Sequence, residues 1–381
     1  MKKILIYSTA YYPFVGGAEV AMKEITDRLT DGYEFEMVTA LMDKKLPRTE
    51  KVGNITVHRI GLGHPKFDKL YLAAFGYKMG LKLHKKNNFD TVRALMASFG
   101  GFGASKFKEI TGLKYLLTLQ EGDPIDVILN KVKRVRNKFN KIFTTADALQ
   151  PISNYLYDWG IKMGFKGKIA EVIPNGVNVS TFTKDYPADE IKELRNSFGF
   201  PENSIIISTA SRLEVKNGTE HVTRALKLLP ENYCYYICGI GDLEQSLKDL
   251  TNELGLEKRV NFAGFKTHEV LPKILKASDI FIRPSITEGL GNSFLEAMAA
   301  GIPTVGTLVG GIPDFLEDGV TGLASEPKNV ESIAQAIRRA GEMTKEEKEA
   351  LHQNAMKIIN EKYNWEYISS RMNFIFNELI K

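Results

Sequence analysis

The sequence predicts an α/β protein built from two doubly wound, parallel-sheet domains. Short apolar runs rich in β-branched residues alternate with longer amphipathic segments along most of the chain, the pattern of βαβ units. The alternation comes in two series, separated by the polar, turn-rich stretch NGVNVSTFTKDYPADE after Pro174. The 381 residues exceed one ordinary hydrophobic core and suit two domains of about 150 to 200 residues each.

In chain order, the first series has strands at ILIY (4–7), FEMVT (35–39), ITVHRI (55–60), KYLLTL (114–119), ALQPIS (148–153) and AEVIP (170–174). The opening MKKILIYSTAYYP imitates a signal peptide, but its apolar run is short and ends before Pro13, so it reads as a buried first strand. A linker near residues 175–190 follows. The second series has strands at IIISTA (205–210), YCYYIC, VNF, DIFIRP and PTVGT, each followed by a helical pattern such as GTEHVTRALKLL or DLEQSLKDLTNEL. Residues 345–381 read as helical throughout, with Trp365, Tyr367, Ile368, Met372, Ile375, Phe376 and Leu379 making an apolar stripe. That stripe must dock, either on the second domain or back on the first. The expected domains are 1–180 together with the helix at about 362–381, and 190–361.

Composition narrows the function classes. A 43% hydrophobic and 25% charged chain is globular rather than disordered or fibrous. Cys234 and Cys238 cannot make a disulfide framework or a four-ligand zinc site, and fall on one face of a strand as core residues. No run of 18 apolar residues exists to span a bilayer. A cytoplasmic protein is expected, with peripheral contact to the membrane face as an option. The net charge of +5 hides an asymmetry. Residues 1–185 hold 29 Lys and Arg against 18 Asp and Glu, a surplus of +11, and residues 186–381 hold 22 against 28, or −6. The two halves are therefore expected to meet different partners. The basic run KVKRVRNKFNK (131–141), with Val132, Val135 and Phe139 interleaved, reads either as a solvated helix or as one lying on anionic lipid headgroups. Lys82, Lys85, Lys86, Lys106 and Lys108 add cations to the same domain. No nucleic-acid module appears, and no aromatics interleave with the cations as a stacking platform needs.

The informative stretch is DIFIRPSITEGLGNSFLEAMAAGIPTVGTLVGGIPDFLEDGVTG, residues 279–322. A buried strand runs through Pro284-Ser285 into a loop with Gly289 and Gly291, then into a helix starting near Asn292 or Ser293. Ligands of open α/β sheets sit at the carboxyl ends of strands, where helix N-termini offer free N–H groups. Glu288 lies in that loop and Glu296 one turn into the helix. Read alone, Glu288 can be a solvated loop acid, and Ser293-Phe-Leu-Glu296 can be a capping box.

The segment resembles the signature of the retaining GT-B glycosyltransferases of family GT4. Its elements are Pro284-Ser285, Glu288 and Glu296 with seven residues between them, Ala297-Met298-Ala299, Gly301, Pro303 and Gly310-Gly311. The resemblance extends over Gly16-Gly17, Val172 to Asn178, Ser211-Arg212-Leu213 with Lys216, Gly239-Ile240-Gly241-Asp242 and Phe262-Ala263-Gly264. It implies two Rossmann-like domains facing across a cleft, the C-terminal helix crossing back to the first, and sugar transfer from a UDP- or GDP-sugar to a hydroxyl of a glycan or lipid-linked acceptor. It further implies that Arg212 and Lys216 hold the diphosphate, here with Asn217 between Lys216 and Gly218. Glu296 would accept from the ribose hydroxyls. Glu288 would contact the transferred sugar, helped by amides of Gly289, Leu290, Gly291 and Asn292. Gly16, Gly17, Gly241, Gly264 and Phe265 would line the donor.

Gln120 stands where relatives often carry a histidine. It cannot act as a base, and a same-face transfer does not require one. Gly17, Glu121 and Asp123 are the expected acceptor contacts. No Asp-x-Asp pair exists to bridge a diphosphate through a metal, so neither a metal nor a resident cofactor is expected. Gly239-Ile240-Gly241 fails as a dinucleotide fingerprint because Glu244 replaces the third glycine. The rival expectations are a GT-B nucleotide-sugar epimerase, disfavoured by the missing histidine, and a non-catalytic sugar-nucleotide-binding protein.

Overall fold

A computed structural model describes all residues, 1–381, and divides into two compact units. The first comprises Met1–Asn175 with Trp365–Lys381, the second Gly176–Asn364.

The first unit holds strands β1 (Lys2–Tyr7), β2 (Tyr33–Ala40), β3 (Thr49–Val52), β4 (Ile55–Ile60), β5 (Thr91–Leu95), β6 (Lys114–Leu119), β7 (Ala148–Pro151) and β8 (Ile169–Ala170). They form one sheet in the order β3-β4-β2-β1-β5-β6-β7-β8, parallel except for the β3–β4 pair. Its helices are α1 (Gly17–Arg28), α2 (Pro65–Asn87), α3 (Phe99–Thr111), α4 (Ile125–Lys131), α5 (Arg136–Thr144) and α6 (Asn154–Lys162). Ile4 and Ile6 of β1 pack with Met22 and Ile25 of α1 and with the C-terminal helix, Trp365–Ile380. Tyr7, on the opposite face of β1, meets α2 and α3.

The C-terminal helix docks through Trp365, Ile368, Met372, Ile375, Phe376 and Leu379, all buried with the β1 and β2 side chains. Six such side chains supply on the order of 10 kcal/mol of apolar burial, far more than helix propensity could. Arg371 adds a bidentate pair with Glu171, at 2.6 and 2.8 Å. Tyr367, expected in the stripe, is exposed because it falls off that face. The helical tail is also two helices rather than one, with a break at Tyr363–Asn364.

Strand β5 is absent from the sequence expectation because Arg93 interrupts its apolar run. The guanidinium is fully buried, donating to Thr118 Oγ1 at 3.0 Å and Gln150 Oε1 at 3.1 Å. Burial pushes its pKa down to about 9. The basic run 131–141 is not one helix. It spans the end of α4, a 3-10 turn at Lys133–Val135 and the start of α5. Phe139 is a core residue while Val135 is exposed, so the three apolar residues share no lipid-facing stripe.

The second unit holds strands β9 (Ile205–Ala210), β10 (Tyr233–Cys238), β11 (Val260–Gly264), β12 (Ile280–Arg283), β13 (Thr304–Thr307) and β14 (Leu323–Ser325), in the order β11-β10-β9-β12-β13-β14, all parallel. Helices α7 (Val179–Phe182) and α8 (Ala188–Asn196) precede them, so the polar stretch read as a linker is structured and belongs to this unit. Then come α9 (Thr219–Ala225), α10 (Glu244–Glu253), α11 (Leu271–Lys276), α12 (Asn292–Ala299), α13 (Val330–Glu342) and α14 (Lys345–Lys362). Ile207, Tyr235, Ile237 and Ile282 face Val222, Ile333 and Ile337 on one side. Tyr236 and Cys238 face Phe198 and Ile274 on the other, with Phe198 stacked on Tyr236 at 3.9 Å. Both cysteines are free and buried.

Candidate active site

The second sheet winds outward in both directions from β9, so its topological switch point lies between β9 and β12. Open sheets bind ligands at that place because the loops after the two strands diverge there. The β9 loop carries Arg212 and Lys216. Both face Glu214, Arg212 at 2.7 Å and Lys216 at 3.6 Å. The Arg212 side chain is 70% exposed and Lys216 only 18%, so Arg212 is free to swing toward an anion while Lys216 is fixed.

Asn217 and Arg283 join that loop to the β12 loop. Asn217 donates to the Arg212 carbonyl at 2.6 Å and accepts from Arg283 at 2.9 Å. Arg283 also donates to Ser293 Oγ at 3.2 Å and pairs with Glu288. The Gly289 N–H donates to the same Glu288 carboxylate at 3.1 Å. Glu288 is therefore not a solvated loop acid: a largely buried counter-ion and a backbone amide hold it. Its main chain is fixed as well, since Gly311 N donates to the Glu288 carbonyl at 3.1 Å. At Gly310 a Cβ would lie 1.9 Å from that carbonyl oxygen, which accounts for the Gly-Gly turn. Ser211 Oγ, Arg283 Nε and Ser285 Oγ lie buried at these two strand ends with no hydrogen-bond partner. Unpaired buried polar atoms cost about 1–3 kcal/mol each, so they mark a place where a polar ligand gains most.

Helix α12 starts at Asn292, with Gly291 at φ 98° as its N-cap and Ser293 inside the first turn. The capping box Ser293–Glu296 does not form. Glu296 is instead buried and faces His268 Nε2 at 3.3 Å. Leu290 is buried, so only its main chain can reach a ligand. Gly264 adopts φ +69° at the end of β11, and the adjoining Phe265 is 68% exposed, a ring free to stack. Gly241 has a packing reason: a Cβ there would lie 2.4 Å from the Leu213 carbonyl oxygen. It shapes the β9 loop from behind.

In the first unit the switch point lies between β1 and β5, and Thr9 and Ser98 hydrogen-bond across it at 2.8 Å. Gly16 and Gly17 are exposed at the start of α1, where Gly16 N donates to Glu19 at 2.8 Å. Gln120 directly follows β6 and accepts from Asn175 Nδ2 at 3.2 Å. Glu121 is not a surface loop acid. It is buried, accepts from Ala97 N at 2.6 Å, and burial pushes its pKa up from 4.5 to about 7. It braces the β5 and β6 ends rather than offering itself to an acceptor. Asp123 is half-exposed and lies 3.5 Å from Lys131.

Arg283, Asn217, Glu214 and His268 are the residues that sequence reading missed. Arg283 was visible as the one cation in DIFIRP, at the last position of a buried strand, where a charge demands a partner. A polar cavity lined by Lys114, Asp147, Lys166 and Glu378 lies at the amino ends of β6 and β8, the wrong edge of the sheet for this chemistry.

Two family models match the chain: Glycosyltransferase Family 4 over residues 15–181 and Glycosyl transferases group 1 over residues 190–358. N-acetyl-alpha-D-glucosaminyl L-malate synthase of Bacillus anthracis is 25% identical over 97% of this chain and 96% of its own length. A UDP-Gal:alpha-D-GlcNAc-diphosphoundecaprenol alpha-1,3-galactosyltransferase of Escherichia coli is 26% identical over 68% of both. Among solved structures, Anabaena HepE in complex with UDP and glucose superposes with a TM-score of 0.80 at 19% identity, covering 99% of this chain and 100% of its own. With its sheet order, its strand-end residues and both matched halves in agreement, the chain belongs to the GT4-type glycosyltransferases of GT-B fold.

Proposed function

We propose that this protein is a retaining glycosyltransferase that takes a sugar from a nucleoside-diphosphate donor. The observation that carries the reading is the linked set Arg212–Asn217–Arg283–Glu288 across the β9/β12 switch point, with unpaired polar atoms around it. Lys216, already held in place, and Arg212, drawn in from its exposed position, meet the diphosphate and stabilise the charge that grows on departure. Glu296 receives the ribose hydroxyls, and Phe265 with the Gly264 main chain receives the base. Glu288 accepts from hydroxyls of the transferred sugar, while the amides after Gly289 donate to it. In the first unit, taken by itself, Gly16, Gly17 and Gln120 are the residues we assign to acceptor contact.

The anomeric carbon loses its bond to the phosphate oxygen and gains one to the acceptor oxygen on the same face. The acceptor's proton goes to the departing phosphate oxygen, so no side-chain base is required. The cations take the place of a bridging metal in this reading, and EDTA is expected to leave the rate unchanged. UDP fits the donor bound by the structural neighbour, and a lipid-linked diphosphate suits the basic first half as the Escherichia coli relative's acceptor does. Such an acceptor brings the enzyme to an anionic membrane surface.

The test is turnover of a UDP- and GDP-sugar panel, with the product read by proton NMR. Retention at the anomeric centre, with at least hundredfold loss in Glu288→Ala at unchanged nucleotide affinity, is the expected result. Inversion, or a Glu288→Ala rate equal to wild type, rejects the assignment.

A further inference from the structure

Helix α2 buries a narrow stripe, Leu72, Gly76, Gly80 and Leu83, against the sheet. At Gly80 a Cβ would lie 1.9 Å from Tyr7 Oη and 3.0 Å from Leu5, so the helix lies close over these two β1 side chains, while its remaining buried side packs on α3 and β2. A helix face of that kind is normally polar. Here its first turns carry Phe67, Leu70, Tyr71 and Phe75, exposed by 49, 62, 37 and 43%. The rings sit four residues apart and touch in series, Phe67 to Tyr71 at 6.0 Å and Tyr71 to Phe75 at 5.1 Å. They form one continuous apolar ridge, with Leu62 exposed just ahead of it.

The same face changes character along its length. Lys78 lies over the Phe75 ring at 5.1 Å, and Lys82, Lys85 and Lys86 continue outward from it, all exposed. The only acid of the helix, Asp68, is buried and accepts from Met42, Leu62, Gly63 and His64 N–H groups at 2.7 to 3.1 Å. That cluster ties down the start of the helix, so the ridge is presented rigidly. On the neighbouring α3, Glu109 is already engaged by Lys106 and Lys141. The outer face of this layer therefore offers aromatic rings and uncompensated lysines.

We propose that α2 docks this protein on an anionic lipid bilayer, its aromatic ridge entering the interfacial region and its lysine end lying on the phosphate plane. Aromatic rings favour the headgroup level, and each lysine near an anionic surface adds to binding. Exposed rings bordered by exposed lysines, Lys66 among them, match that surface. This deepens the membrane part of the function proposed above and stands apart from the donor chemistry.

The full-length protein is floated with vesicles of phosphatidylcholine alone and of phosphatidylcholine mixed with phosphatidylglycerol. Nucleoside-diphosphate affinity is measured on the same preparations to report the donor site separately. Wild type is expected to bind the anionic vesicles only, less at high salt. Phe67→Ser/Tyr71→Ser/Phe75→Ser and Lys78→Gln/Lys82→Gln/Lys85→Gln should each bind at least tenfold more weakly, with melting temperature and nucleotide affinity kept, because the changed side chains are exposed. Equal binding to both vesicle types overturns the anionic choice, and no binding to either overturns the membrane reading itself. Binding that survives both variants overturns the role of α2. A wild-type dimer that the aromatic variant converts to monomer, with no vesicle binding, reassigns the ridge to a second copy of the chain and rejects the proposal.

Discussion

Replacing Arg283 with Met keeps most of the side chain's length and removes its charge and its donors. Arg283 and Glu288 are each only 12% exposed, so the variant leaves a carboxylate largely buried with one amide donor and no counter-ion. Stranding one member of a buried pair costs about 3–5 kcal/mol, and this pair keeps some solvent, so about 3 kcal/mol is the appropriate scale. Asn217 and Ser293 also lose a donor, but both can recover a water. If the full penalty falls on folding, the second unit melts about 6–12 °C lower. If Glu288 escapes by rotating away from the sugar, the same energy appears as about a hundredfold fall in turnover. Differential scanning calorimetry and donor turnover, measured together, divide the two.

The double variant Arg283→Met/Glu288→Gln decides the cause. It removes the stranded charge, so most of the lost melting temperature returns while activity does not. Arg283→Lys keeps the charge but reaches only one of the three partners, and falls between. An Arg283→Met protein that melts and turns over like wild type refutes the reasoning, as does a double variant no more stable than the single one.

Three further outcomes follow from particular contacts. Glu121 is held protonated more readily in the fold than in the unfolded chain, so wild type loses about 3 kcal/mol of stability as pH rises from about 4.5 to 7 and nothing further above it. Glu121→Gln removes that slope in urea titrations and is the more stable protein at pH 8; an unchanged slope would contradict the burial argument. For Asp68, burial alone would raise its pKa, but the backbone N–H groups of Leu62, Gly63, Met42 and His64 hold it below 3.8. Its contribution is thus present above the unfolded value and lost as pH falls through the folded one. Asp68→Asn costs about 2 kcal/mol at neutral pH and close to nothing once wild type is protonated. Gly80→Ala gains about 1 kcal/mol in helix propensity but places its Cβ against Tyr7 Oη, and overpacking of that kind costs about 1–3 kcal/mol. The net effect is destabilising by denaturant titration, and Gly80→Ala with Tyr7→Phe recovers part of it.

The regular βα alternation made both sheets legible, because strands buried on two faces write themselves as apolar runs. Where a strand was missed, its run was broken: Arg93 splits β5, and only the fold reveals that Thr118 and Gln150 satisfy the guanidinium. The short antiparallel β3, with alternating exposure, carries no such run. The run 131–141 misled for the converse reason. Six cations and an apolar spacing look like one amphipathic helix, yet Phe139 was drawn into the core and the segment breaks before it. The surface we propose to meet lipid is on α2 instead, whose aromatic ridge periodicity could not separate from a core stripe.

At the second switch point the motif residues were readable through the family resemblance that their spacing carries. Their supports were not, since Arg283 and Asn217 act through contacts between loops 66 residues apart. Glu121 shows the same limit: an acid in a loop between Gln120 and Gly122 looks solvated until the fold buries it against Ala97.

The central claim is that the strand ends around Arg212, Glu288 and Glu296 hold a nucleoside-diphosphate sugar. Titration calorimetry with UDP, GDP and ADP on wild type, Arg212→Ala and Glu296→Ala tests it most directly. One of the three should bind wild type in the micromolar range or tighter, and each variant should bind it at least tenfold more weakly with its fold intact. Binding of none of them, or binding that both variants leave untouched, would place the donor elsewhere and contradict the account.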